Sequence, residues 1–394
     1  MFNNFRLLAF SVFVPTLLVS FSKGLLLPVL PVFVSSFEVS YGLVGLVLSM
    51  EAVGTLVGDI PAGSLLRYID KKWVMLLGLV IMGVATLVLV WATNIWLVLV
   101  FRFISGLGNA LNIMSLNAYL ADYTRKHERG RVIAMFGGIN RMGQFIGPAL
   151  GGLLASRLGL VSPFAFFAGF CLFTAISTLL FVRLTPSAEG VKKTQAHPHL
   201  LKVLAEHKGI FMSAGLGMLF AQMIREGRKV IIPLFGADVL GLDIAAVGLI
   251  MSIGAAIDMS LFYPAGFVMD RWGRKFAIVP SFLLQAVGMA LVPLSGGFLG
   301  LTLCSALMGL GNGMSSGTMM TLGTDLAPRD SLGEFLGVWR FIGDAGGTGG
   351  PLAVGAVATL LSLGASALVL GLIGTFSALV FAYLVPETLK RRTA

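Results

Sequence analysis

The tetrapeptide Gly106-Leu107-Gly108-Asn109 returns unchanged 203 residues later as Gly309-Leu310-Gly311-Asn312. The register extends outward on both sides: Pro61-Ala62-Gly63 returns as Pro264-Ala265-Gly266, Asp122 as Asp325, and Gly147-Pro148 as Gly350-Pro351. In a chain of 394 residues that offset is close to half the length, so two homologous halves are laid end to end. Self-similarity of this kind decides the architecture before any single element does.

Composition places both halves in a bilayer. The chain is 57% hydrophobic and 12% charged, with a mean hydropathy of +0.92, whereas about a quarter of the residues of a soluble domain are charged. Apolar runs at 7–34, 41–66, 73–92, 96–120, 132–156, 163–183, 210–236, 244–269, 276–294, 299–322, 335–359 and 364–385 each approach or reach the roughly 20 residues a spanning helix needs. The reading is an all-α integral membrane protein of twelve transmembrane helices, segments 1 to 12, in two pseudo-symmetric six-helix bundles. Residues 1–183 form the N-terminal bundle, 184–209 a cytoplasmic linker and 210–394 the C-terminal bundle. The linker holds Pro186, Gly190 and Pro198 with four Lys and three His and shows no apolar period, so it reads as a solvated loop. His197, His199 and His207 lack Cys or carboxylate partners at ligand spacing, and no metal and no cofactor are expected.

Basic residues in short loops stay cytoplasmic. With the N-terminus inside, Arg6, Arg67, Lys71, Lys72, Arg125, Lys126, Arg129, Arg131, Arg271, Arg274, Lys275, Lys390, Arg391 and Arg392 face the cytoplasm, and only Arg157 falls in an outer loop. The chain is therefore expected to be multi-pass in the cell inner (plasma) membrane with both termini cytoplasmic. The net charge of +10 is mostly topological, and no nucleic-acid partner is implied. Cys171 and Cys304 fall inside apolar segments and read as small core residues. The first apolar run matches a bundle helix in length and reads as retained.

Segments 3, 6, 9 and 12 carry no charge in their interiors. The embedded charges sit elsewhere: Lys23 in segment 1, Glu51 and Asp59 in 2, Arg102 in 4, Arg141 in 5, Arg225, Glu226, Arg228 and Lys229 in 7, Asp258 in 8, and Arg340 with Asp344 in 11. Each costs several kcal/mol in contact with lipid, so these charges face the bundle interior and every third segment faces lipid.

This pattern resembles the major facilitator superfamily over the whole chain. Its most specific mark is Gly266-Phe-Val-Met-Asp270-Arg271-Trp-Gly273-Arg274-Lys275, similar to that family's loop signature, with a tight turn at Gly273 and an aspartate that pairs basic groups or helix ends. The first-half copy is degraded: Gly63 is followed by Arg67, Tyr68, Asp70, Lys71 and Lys72, and either Asp59 takes over the gating role or the gate rests on the second half. A second mark, Gly143-Gln-Phe-Ile-Gly147-Pro148-Ala-Leu-Gly151-Gly152, resembles the motif of the family's twelve-helix drug:proton antiporter group, which implies export; close packing of small residues produces the same pattern. A third, Arg102-Phe-Ile-Ser-Gly106, resembles the segment 4 signature; the repeat puts Ser305 opposite Arg102, so this charge belongs to one half alone.

Depth along the segments, with the packing the resemblance implies, pairs Arg141 with Asp258 and Asp59 with Arg340. Arg340 and Asp344 are four apart and share a face. Glu51 lies level with Arg102, as a carboxylate whose protonation depends on whether the pair is closed. The proton-coupling candidates are Glu51, Glu226, Asp258 and Asp344; the buried basic partners are Lys23, Arg102, Arg141, Arg225 and Arg340. The gating candidates are Asp59, Gly63, Gly266, Asp270, Arg271, Gly273 and Arg274 together with Gly143, Gly147, Pro148 and Gly151. Substrate-cavity candidates are Asn109, Asn112, Met114, Met218, Gln222, Asn312 and Ser315, with Asn117 beside them. Flexible Met surface beside a few amides suits varied amphiphiles. The segments hold seven basic and five acidic residues, which favours anionic, zwitterionic or neutral solutes.

The expected function is secondary active transport: proton-coupled export of small amphiphilic molecules by alternating access. Its partners are the small-molecule substrate, protons and the lipid bilayer, and the chain is expected to act as a monomer. The alternative is an importer or facilitator of a small metabolite such as an organic anion or sugar. No Gly-x-x-x-x-Gly-Lys-Ser/Thr or His-Glu-x-x-His occurs, so an ATP-driven pump or an enzyme is not expected.

Overall fold

The computed structural model describes residues 9–123, 129–182, 184 and 199–389. Arg6, Arg125, Lys126, His197, Pro198 and residues 390–392 lie outside the described residues, as does most of the expected linker. The first half contains α1 (Val14–Ser35), α2 (Tyr41–Leu65), α3 (Lys71–Val88), α4 (Ile95–Tyr123), α5 (Arg129–Leu158) and α6 (Ser162–Phe181). A short α7 (His199–Glu206) follows. The second half contains α8 (Leu216–Leu234), α9 (Ile244–Ser260), α10 (Phe262–Arg271), α11 (Arg274–Leu291), α12 (Phe298–Met314), α13 (Thr318–Leu326), α14 (Leu332–Leu360) and α15 (Leu363–Tyr383). The described residues of 1–189 and 237–252 form one compact unit and those of 190–236 and 253–394 another.

Three elements depart from the sequence reading. The segment at 199–206 is helical: Leu200, Val203 and Leu204 recur at helical spacing, and Val203 is buried. Segment 8 is two helices, α9 and α10, parted at Leu261, three residues before Pro264, which lacks an N–H and whose ring crowds the carbonyl four residues back at Ser260. Segment 10 is likewise two, α12 and α13, parted where Gly317 adopts φ +76°, a conformation that favours glycine.

Nine stretches among the described residues are long and apolar enough to cross a membrane. The other three spans, at α5, α8 and α14, carry more charge: Arg129, Arg131, Arg141 and Arg157 in α5, Arg225 to Lys229 in α8, and Glu334, Arg340 and Asp344 in α14. Helices α3, α6, α11 and α15 leave wide apolar faces outward, among them Val80 and Val84, Leu172 and Phe173, Phe276 and Val287, and Leu372 and Phe376. These are the four segments whose interiors carry no charge.

Contacts repeat with the sequence. In the first half α1 packs on α5 and α6, α3 on α4 and α6; in the second α8 packs on α14 and α15, α11 on α12 and α15. Backbones meet at paired small residues. A Cβ added to Gly147 of α5 would lie 2.5 Å from the Gly24 Cα of α1, and one added at the repeat position Gly350 of α14 would lie 2.9 Å from the Gly227 nitrogen of α8. A Cβ at Gly108 would lie 2.8 Å from the Gly78 carbonyl oxygen, and one at Gly311 would lie 2.6 Å from that of Ser281. The 203-residue register therefore holds in three dimensions, carried by positions where two backbones touch.

Candidate functional site

In the first half, α1, α2 and α4 bring polar side chains into one chain of hydrogen bonds. The Lys23 ammonium donates to Asn109 Oδ1 at 2.6 Å, the Asn109 amide donates to Thr55 Oγ1 at 3.1 Å, and the Thr55 hydroxyl donates to the Glu51 carbonyl at 2.8 Å. One turn away the Arg102 guanidinium pairs with the Glu51 carboxylate; their side chains are 8% and 22% exposed. A pair this buried holds only while both members are present. Lys23, Asn109, Asn112 and Asn117 line a cavity of about 160 Å³ bounded by α1, α3, α4, α5 and α6. Asn140 of α5 lines it too and accepts from the Ser20 hydroxyl. Met114, half-buried on α4, is not among the lining residues. Sequence reading missed Asn140, Ser20, Thr16, Thr174 and Thr178, all of which line this cavity. The signal was available: the repeat sets Thr16, Ser20 and Asn140 opposite Leu219, Met223 and Gly343, so these polar groups belong to one half only.

In the second half the same lattice carries different chemistry. The Asn312 amide donates to Asp258 Oδ2 at 2.6 Å, the repeat of the Asn109–Thr55 bond with an acid in place of the threonine. Arg225 donates to Gln222 Oε1 at 3.0 Å and Ser315 Oγ at 2.6 Å, and its guanidinium carbon stands 5.2 Å from the centroid of the Phe282 ring. It also reaches the Ser315 carbonyl at 3.4 Å, at the gap between α12 and α13. Glu226 pairs with Lys229 at 2.5 Å and Arg340 with Asp344 at 3.5 Å. Met218 is buried, with its Cε 2.7 Å from where a Gly343 Cβ would sit.

The expected gating residues fall into two groups. Gly143, Gly147 and Gly151 face the α1 backbone at Ser20 and Phe21, at Gly24 and at Leu25, so these three pack helices within the first half. Beside them, the Ser252 hydroxyl accepts from Ala149 N–H at 2.9 Å and donates to the Phe145 carbonyl at 2.7 Å, occupying the rung these two groups would otherwise close where Pro148 disturbs the ladder. The loop signature forms a second group. Gly273 has φ +121°, and Arg274 bonds Asp270 at 3.1 Å and Asp325 at 3.0 Å. Arg271 stacks over Phe267, its guanidinium carbon 5.7 Å from the ring centroid. Glu387 accepts from the backbone N–H groups of Arg274 and Lys275 at 2.9 and 3.0 Å, capping α11.

The degraded first-half copy keeps this logic. Lys71 pairs with Asp122, the repeat of Arg274 with Asp325. Asp70 stands at the repeat position of Gly273, and its own carboxylate caps α3 by accepting from Lys72 N–H at 2.8 Å. Where the first half has a capping side chain, the second has a glycine and a borrowed carboxylate: a Cβ at Gly273 would lie 2.5 Å from Glu387 Oε2. Asp59 on α2 is half-buried; an added Cβ at Gly63 or Gly266 would meet no atom within 4 Å.

The sequence profile described as the Major Facilitator Superfamily matches residues 12–351 and, again, 227–394. Multidrug resistance protein 2 of Bacillus subtilis is 24% identical over 283 residues, covering 70% of each chain. The class H tetracycline resistance protein of Pasteurella multocida is 26% identical over 288 residues, again covering 70% of each. Among solved structures, the nucleoside transporter NupG superposes with a TM-score of 0.76 at 15% identity, over 95% of this chain and 98% of that one. A POT family transporter in complex with 5-aminolevulinic acid superposes with a TM-score of 0.76 at 14% identity, over 96% of each chain.

Proposed function

The chain belongs to the Major Facilitator Superfamily, and from that premise we propose that this transporter is a proton-coupled exporter of small amphiphilic molecules, working by alternating access. The observation that carries the proposal is the buried Glu51–Arg102 pair in the first half, which the repeat does not copy: Gly254 and Ser305 stand at the corresponding positions. Burial disfavours a bare carboxylate, so withdrawal of its arginine favours proton uptake. Asp258 and Glu226, each beside a polar or basic partner, are further proton carriers in this reading, and Asp344 beside Arg340 a fourth. One pH unit supplies about 1.4 kcal/mol and 100 mV about 2.3 kcal/mol per charge, enough to drive accumulation without ATP. Export is supported by the relatives named for multidrug and tetracycline resistance.

The positive loops support a cytoplasmic placement of both termini. The likeness to the nucleoside transporter NupG and to a POT family transporter in complex with 5-aminolevulinic acid fits a second reading as an importer or facilitator of a small metabolite. Purified protein in liposomes with a pH-sensitive dye inside separates the two. Substrate-evoked proton flux that is lost in Glu51→Gln, in protein still able to bind substrate, is the expected result. Solute movement with no proton movement in either direction overturns the exporter reading in favour of a facilitator.

A further inference from the structure

The cavity of about 160 Å³ in the first half is lined by Lys23 and four asparagines, Asn109, Asn112, Asn117 and Asn140, and by no acidic residue. Its size decides how much of a solute it holds. Drug-sized ligands occupy pockets of roughly 300–1,000 Å³, whereas 160 Å³ corresponds to the share of about five liquid waters. It therefore fits a polar head with a short stub of its tail.

Charge decides which head. An ammonium is a donor-only point charge, and the asparagine amides add N–H donors beside it: the carbonyl oxygens of Asn109 and Asn140 already accept from Lys23 and Ser20, and the Asn109 amide spends one N–H on Thr55. A ring of donors around a single cation matches one acceptor-rich monoanion. It gives a protonated amine a repulsive neighbour and no carboxylate. A dianionic phosphate calls for a second cation or a guanidinium fork, and the cavity lining holds neither. The Asn109 bond to Lys23, itself fixed through Thr55, holds the ammonium at the cavity wall.

The repeat supplies an internal control. At the second-half positions corresponding to Lys23 and Thr55 stand the acids Glu226 and Asp258, and those corresponding to Asn117, Asn140 and Ser20 are Met320, Gly343 and Met223. On one scaffold, the first half has gained a cation and amides where the second has acids and apolar groups. Scaffold packing requires neither set, because the backbone contacts at Gly24–Gly147 and Gly227–Gly350 are the same in both.

We propose that this first-half cavity is the head-group site of the transported solute and that it takes a monoanionic carboxylate. The proposal rests on the transporter reading above and names its substrate class. The test is isothermal titration calorimetry on the purified full chain with monocarboxylates of graded tail from acetate to 4-phenylbutyrate, each matched by its amine and its primary amide. A carboxylate should bind at least tenfold more tightly than its amine. That preference should vanish in Lys23→Gln and survive in Lys23→Arg, with amide binding unchanged in both. Asn140→Asp, which sets a carboxylate into the cavity wall, should reverse the order and favour the amine, and it decides the matter if Lys23→Gln does not fold. Binding of no carboxylate, tighter binding of the amine, or carboxylate binding indifferent to Lys23→Gln overturns the proposal. The dye-loaded liposomes keep the two readings apart. Proton flux evoked by amines alone would leave the exporter standing without this site, while Lys23-dependent carboxylate binding with no proton flux would leave this site standing without the exporter.

Discussion

Two residues test how the loop after α10 is held. Gly273 combines a φ of +121° with a neighbouring carboxylate where its Cβ would be. Gly273→Ala should therefore cost on the order of 1–3 kcal/mol, read as a lower melting temperature in detergent. Glu387 answers to pH. Partial burial raises the pKa of its carboxyl, but backbone N–H groups of Leu389, Arg274, Lys275 and Thr388 outweigh that and hold it below its ordinary value of 4.5. Because the folded value is the lower one, its contribution to stability is present above pH 4.5 and is lost as pH falls through the folded value. The melting temperature of wild type should exceed that of Glu387→Gln at pH 7, with the difference shrinking as the buffer is taken from pH 5 downward; a difference that grows in acid would contradict this assignment. The Glu51–Arg102 pair makes a different prediction. Arg102→Ala strips a buried carboxylate of its guanidinium and should cost roughly 3–5 kcal/mol, whereas Glu51→Leu with Arg102→Met should recover much of that stability. If the recovered double variant folds and does not transport, the pair acts in function as well as in packing.

At the scale of helices, the α1–α5 seam depends on atoms that are absent. Gly147→Ala drives a methyl into the Gly24 backbone and should cost about 1–3 kcal/mol or more. Gly138→Ala on the same helix meets no atom within 4 Å and should leave the melting temperature unchanged or raise it by the equivalent of up to about 1 kcal/mol. The contrast checks packing against helix propensity. These seams were legible in the sequence as spaced glycines, and the spans as apolar runs, because both signals are local and periodic. The breaks at Leu261 and Gly317 were less legible. Pro61 lies inside an unbroken α2 while its repeat Pro264 follows a break, so a proline at this position does not by itself interrupt the helix. The polar site was half legible: Lys23, Asn109 and Asn112 stand out as polar residues in apolar runs. Asn140 and Ser20 find each other across 120 residues, a pairing that no single segment displays.

For the whole molecule, the positive loops predict which side each turn faces. In a variant freed of its two buried cysteines by Cys171→Ala and Cys304→Ala, a thiol introduced by Arg67→Cys should react with an impermeant maleimide only in inverted vesicles, and one introduced by Arg157→Cys only in intact cells. The opposite pattern would reverse the topology. The two halves share a lattice of backbone contacts and differ in what decorates it, and that difference also has a clock. The cap on α3 closes between Asp70 and Lys72, whereas the cap on α11 joins Arg274 to Glu387, 113 residues further along. At about 5–20 residues per second of synthesis, the N-terminus of α11 waits roughly 6–23 s for its carboxylate, while that of α3 is sealed as it emerges. During translation, then, the first half carries its own stopper, and the second stays open at that edge until nearly all of the described chain has been made.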